Sequence, residues 1–162
     1  MSETRSKTIT WEDPMTGAKA AMTMRGLDYL RAMMRGEIPG APIAQTMDFA
    51  LVEVEEGKAA FAGSPGENLY NPIGSVHGGF AATLLDSALG CAIHTTLEAG
   101  EGYSTVELHV NYVRPLTAAT GKVTCSATVI HRGKRVATAE GKLVDDDGKL
   151  YAHGTTTCMI LR

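Results

Sequence analysis

The segment NPIGSVHGGFAATLLDSALG, residues 71–90, decides how the rest of the chain is read. It opens as loop, passes through His77-Gly78-Gly79, and runs into an apolar, alanine-rich stretch. Continued to Leu97, that stretch sets Val76, Phe80, Ala81, Ala82, Leu84, Leu85, Ala88, Leu89, Ala92 and Ile93 around almost every side of a helix. A helix apolar all round is one that the rest of the protein wraps. The spacing predicts a central helix over 76–97, ended by the glycines of EAGEG. Asp86, alone in the middle of that run, is the anomaly.

Downstream of the helix the period changes. In YSTVELHVNYVRP (103–115), Val106, Leu108, Val110 and Tyr112 alternate with Glu107, His109 and Asn111, the pattern of a half-buried strand. Residues 121–162 read as three more strands, with turns at His131–Lys134 and Asp145–Gly148. Turns this short make neighbouring strands antiparallel.

Upstream, GLDYLRAMMRGE (26–37) places Leu27, Leu30, Ala32, Met33 and Met34 near one helical stripe that Gly36 and Pro39 end. FALVEVEEGKAAFAG (49–63) reads as two strands joined at Glu56-Gly57, IPGAPIAQ as a connector and SPGENLYNP as loop. Residues 1–25 show no steady period and read as an N-terminal arm or strand-like lead-in, followed by one domain over 26–162. The expected fold class is α+β: an antiparallel sheet around one long helix. Such a sheet leaves an outer face and two edges uncovered, which argues for a dimer that extends it.

Composition narrows the functions. A chain of 162 residues with a net charge of −3 gives no argument for nucleic-acid or membrane-surface binding. The polar start MSETRSKTITWEDP is unlike a secretion signal, and Cys91, Cys125 and Cys158 include no CxxC pair, so reduced thiols in a cytoplasmic protein are expected. His94, His109, His131 and His153 have no short ligand spacing, and DDDG lacks the other ligand positions of a calcium loop. There is no phosphate-binding P-loop and no GxSxG elbow. No metal or bound cofactor is expected.

Two features carry chemistry. The first N–H groups of a helix have no internal partner, and glycine lets a ligand approach them closely. A carbonyl oxygen gaining negative charge would be stabilised there, with the Gly78 N–H as the leading donor. Asp86 is the second, because a carboxylate held among apolar groups suits an acid that activates water. His77 and Asp86 are nine residues apart, about 13.5 Å of helical rise and opposite faces of the helix. If both serve one reaction, the acid comes from a second copy and the site lies between protomers. On spacing alone, HGG is equally a plain loop-to-helix junction and Asp86 equally a structural acid.

Asn71, Gly74, His77-Gly78-Gly79, Leu85 and Asp86, followed by TVELHVNYVRP (105–115), resemble the hotdog-fold acyl-CoA thioesterases. The nearest branch is the PaaI-like group of phenylacetic acid degradation, related to one class of 4-hydroxybenzoyl-CoA thioesterase. The likeness runs from about Gly26 to Leu161. It implies a hotdog fold, a homodimer doubling to a tetramer, and hydrolysis of an aromatic or medium-chain acyl-CoA to free acid and coenzyme A. It further implies that Gly78 N–H polarises the thioester carbonyl, His77 orders that loop, Asn71 orients thioester or water, and the partner's Asp86 acts as base or nucleophile. Ser104 falls where some relatives hold the attacking water. Gly79 with Arg114, Arg132, Lys134 and Arg135 would meet the coenzyme A portion. The alternatives are a hotdog dehydratase or hydratase, and a non-catalytic acyl-CoA-binding protein.

Overall fold

The structure, a computed structural model, describes residues 3–162. Its helices are α1 (Pro14–Ala21), α2 (Gly26–Met34), α3 (Pro42–Met47) and α4 (Gly78–His94). The strands are β1 (Phe49–Glu55), β2 (Lys58–Gly63), β3 (Gly102–Tyr112), β4 (Val123–Arg132), β5 (Val136–Asp145) and β6 (Leu150–Leu161). They form one antiparallel sheet in the order β1-β2-β4-β5-β6-β3, so β1 and β3 are its edges.

The sheet curls around α4 because its inward positions are apolar and often small. Ala127, Ala137, Ala139 and Ala152 alternate with outward polar residues and let the helix approach, while Phe80, Leu84, Leu85 and Leu89 fill the space between. The β1–β2 turn falls at Glu56-Gly57 as expected, and Gly57 takes a φ of 76°, which glycine adopts without a Cβ penalty. Among the described residues no helix is long and apolar enough to cross a membrane.

Three expectations need correction. Residues 14–21 of the lead-in are helical rather than strand-like, because Asp13 caps α1 through Met15 N–H (2.9 Å) and Pro14 sits in its first turn. Part of the 38–45 connector is also helical, again starting at a proline, Pro42. Finally, α4 is not wrapped on every side of a single chain. Asp86 is exposed, flanked by the half-buried Ala82, Thr83 and Ser87, because this stripe lies beside the edge strand β3.

The far end of α4 is held differently. His94 stacks on Tyr29 of α2 (5.2 Å between ring centres) and meets Tyr103 of β3 edge-on (5.6 Å). Burial pulls the His94 pKa down to about 4 from the ordinary 6.5. The folded chain therefore keeps His94 neutral in a range where the unfolded chain protonates it. Stability is full above about pH 6.5 and declines as pH falls through that range toward about 4. Urea unfolding across this window should show the decline, and His94→Phe should flatten it.

Candidate active site

The loop before α4 shapes the helix mouth. Asn71 Oδ1 accepts the N–H groups of Ile73 (3.0 Å) and Ser75 (3.3 Å), and its Nδ2 donates to Ser75 Oγ (3.1 Å). Most of the Asn71 amide is thus turned onto its own loop. His77 is the N-cap of α4: its Nδ1 accepts the Gly79 N–H (2.8 Å) and its carbonyl accepts the Phe80 N–H (3.0 Å). An accepting Nδ1 carries no proton, so the ring hydrogen sits on Nε2. With Gly79 and Phe80 engaged, the Gly78 N–H has no hydrogen-bond partner among the described residues.

That N–H opens beside a cavity of about 260 Å³ lined by His77, Gly78, Tyr112, Arg114 and Tyr151 among others. A Cβ on Gly78 would stand 3.2 Å from the Tyr112 ring, so the glycine keeps this wall close to the backbone. His77 is thus a cap and Gly78 presents an open donor. Gly79 instead serves the cap.

Asp86 lies elsewhere. Helix α4 is unbroken, so Gly78 and Asp86 stand about 12 Å apart along its axis. The Thr105 hydroxyl donates to Asp86 Oδ1 (3.0 Å). Ser104 is not the hydroxyl at this acid: it pairs with the exposed Met159, on the outer face of the sheet. The reason is a register shift between Thr105 and Glu107 that leaves Val106 as a bulge. Tyr103 and Thr105 face the helix with Leu108, Val110 and Tyr112, whereas unbroken alternation would have turned Val106 inward. Val106 is 62% exposed. Sequence reasoning missed Thr105 for this reason, since a bulge leaves no mark in a run of alternating residues. We expect Thr105→Val to lower kcat about 10- to 100-fold, the range for losing a hydrogen bond to a charged group, and Ser104→Ala to leave it unchanged.

The basic residues do not converge within one chain. Arg114 borders the cavity and its Nη1 donates to Leu150 O (2.7 Å). Arg132 is tied to Glu101 (2.8 Å), with only 22% of its side chain exposed, so it reads as a structural ion pair. Lys134 and Arg135 are exposed in the following turn. That turn lies by the Val136–Met159 pairing, whereas Arg114 follows the Tyr112–Ala152 end. The two groups occupy opposite ends of the sheet. Among the described residues no group of three or more His, Cys, Asp or Glu is placed to hold a metal ion. Cys91, Cys125 and Cys158 are free thiols. Burial pushes Cys91 and Cys125 up to about 12 and raises Cys158 as well.

The segment carrying both the open amide and the acid is shared with known proteins. The profile of the Thioesterase superfamily matches residues 73–152, from the loop before His77 to β6. The 1,4-dihydroxy-2-naphthoyl-CoA hydrolase of Listeria monocytogenes is 31% identical over 118 residues, which cover 73% of this chain and 94% of that protein. This chain belongs to the thioesterase superfamily. Human acyl-coenzyme A thioesterase 13 is 33% identical over 66% of this thioesterase and 76% of its own length. Among solved structures, a phenylacetic acid degradation-related protein from Ralstonia eutropha superposes with a TM-score of 0.73 at 33% identity. It covers 81% of this thioesterase and 98% of its own chain. A variant of the phenylacetic acid degradation protein PaaI from Thermus thermophilus gives 0.66 at 29% identity, over 74% and 98%. The sheet wrapped on α4 is the hotdog fold, and the protein is a thioester hydrolase acting on acyl-CoA.

Proposed function

We propose that this thioesterase hydrolyses an aromatic or medium-chain acyl-CoA at a site built by two copies of the chain. The observation that carries this reading is the unpartnered Gly78 N–H at a cavity, with Asp86 and Thr105 displayed about 12 Å away beside an open sheet edge. In one chain the donor and the acid cannot reach one carbonyl. An antiparallel second copy along β3 brings the Asp86 of one protomer toward the Gly78 of the other and covers the exposed Asp86 stripe.

In that arrangement Gly78 N–H holds the thioester oxygen as negative charge develops on it. Thr105 and Asp86 hold a water, whose oxygen attacks the carbonyl carbon while Asp86 takes its proton. Collapse breaks the C–S bond and releases the acid and coenzyme A. The same placement serves direct attack by Asp86, through an acyl-aspartate that water then opens. His77 and Asn71 act by fixing the loop that aims Gly78. Arg114 of one protomer and Lys134 and Arg135 of the other come to the same end of the joint site, where they meet the coenzyme A phosphates. The Listeria relative's aromatic acyl group supports an aromatic substrate, and a dimer of dimers in the cytoplasm completes the reading.

The test is release of free thiol across aromatic and straight-chain acyl-CoAs, with light scattering on the same sample. Turnover by a dimer or tetramer is expected. A fully active monomer would overturn the shared site.

A further inference from the structure

We infer that Cys158 is a positioning residue whose S–H fixes the Thr105 hydroxyl in the orientation that serves Asp86. The inference rests on the reading of Asp86 as the reacting acid. Cys158 is buried on β6, directly opposite Thr105, with its Sγ 3.9 Å from Thr105 Oγ and 3.8 Å from Thr156 Oγ. Each hydroxyl has one proton to give. Thr105 donates its proton to Asp86 Oδ1 (3.0 Å), and Thr156 donates to Glu107 O (2.8 Å). Both oxygens are left with lone pairs only, so the thiol between them is the donor, its single proton shared by Thr105 and Thr156 in a bifurcated contact.

The direction of this chain matters. If Thr105 turned its hydrogen toward sulfur, Asp86 would lose its only side-chain hydrogen bond among the described residues and face a lone pair instead. A thiol that supplies a proton from behind removes that alternative. Thr156 performs the matching task on the backbone, since Glu107 O lies just past the Val106 bulge that turns Thr105 inward. Burial keeps Cys158 protonated, as a donor must be. Sulfhydryl donors are weak, so the effect is modest, of the size that one ordinary hydrogen bond controls.

Cys158→Ala should lower kcat about three- to tenfold with KM unchanged. Cys158→Ser, which keeps a donor, should restore most of it. In a Thr105→Val background, Cys158→Ala should change kcat no further, because its route to the reaction is already cut. A full additional loss in that background, or a folded Cys158→Ser variant no better than Ala, overturns the proposal. Should Cys158→Ala not fold, the infrared S–H stretch of Cys158 serves instead. It is expected to move to higher frequency in Thr105→Val, and an unmoved band overturns the proposal. Loss of activity in Asp86→Asn and Thr105→Val with none in Cys158→Ala refutes the positioning role alone. Normal turnover in Asp86→Asn refutes the site itself and the inference with it.

Discussion

Asp86→Asn is expected to lower kcat by about 10²–10⁴ while leaving the oligomer and the fold intact. The amide matches the carboxylate in shape and can still accept from Thr105 through its oxygen, so the local geometry survives. What it loses is the capacity to take a proton from water or to attack carbon. Because Asp86 is exposed in the single chain, exchanging it removes no core contact. Thermal unfolding should therefore be close to that of the wild type, and near-normal turnover would end the proposed role. Single turnovers in oxygen-18 water separate the two routes. Attack by water labels the released acid and never Asp86, whereas an acyl-aspartate opened by water at the Asp86 carbonyl leaves the first-turnover acid carrying oxygen from the aspartate and the label in Asp86.

Gly78→Pro is expected to lower kcat by about 10²–10³, the effect of deleting one donor to a developing oxyanion. Proline is suited to this test because Gly78 is the first residue of α4, where the N–H has no helical partner to lose. The preceding His77 has φ −60° and ψ 135°, the extended conformation that a following proline favours. The Tyr112 ring, 57% exposed, has room to yield the few tenths of an ångström that the new Cβ requires. The His77–Gly79 cap remains, so stability should change little. Undiminished turnover with a folded Gly78→Pro protein would show that the open amide plays no part in the reaction.

Much of this architecture was legible from periodicity. The apolar run at 76–97 gave a central helix, and tight turns read at 56–57, 131–134 and 145–148 gave antiparallel neighbours, the last two lying within a residue or two of the observed 133–135 and 146–149. The two missed helices, α1 and α3, are short and start at proline, where the apolar period has too few residues to emerge. At the site, the Gly78 N–H was legible because an open N–H is a local consequence of a helix start, whereas the His77 cap was not read and a loop-ordering role for it came only from the resemblance. Thr105 was not, since the Val106 bulge is a fact about pairing with β6. The same holds for Arg132: only the folded chain brings Glu101, thirty-one residues earlier, against its guanidinium. The burial expected of Asp86 is absent from the single chain for a related reason, because a linear pattern does not tell which flank of a helix lies next to a sheet edge.

The two buried cysteines and the half-buried Cys91 have a consequence for the chemistry the protein hosts. Each cleavage of an acyl-CoA liberates a mercaptan at the protein's own surface, and oxidised coenzyme A is a disulfide. Exchange with it requires a sulfur that is both ionised and reachable. Cys125 and Cys158 have no exposed surface, and Cys91 is held far from ionisation. Cys125 and Cys158 are thereby shielded by burial, and Cys91 by its raised pKa, from becoming a mixed disulfide with the enzyme's own product.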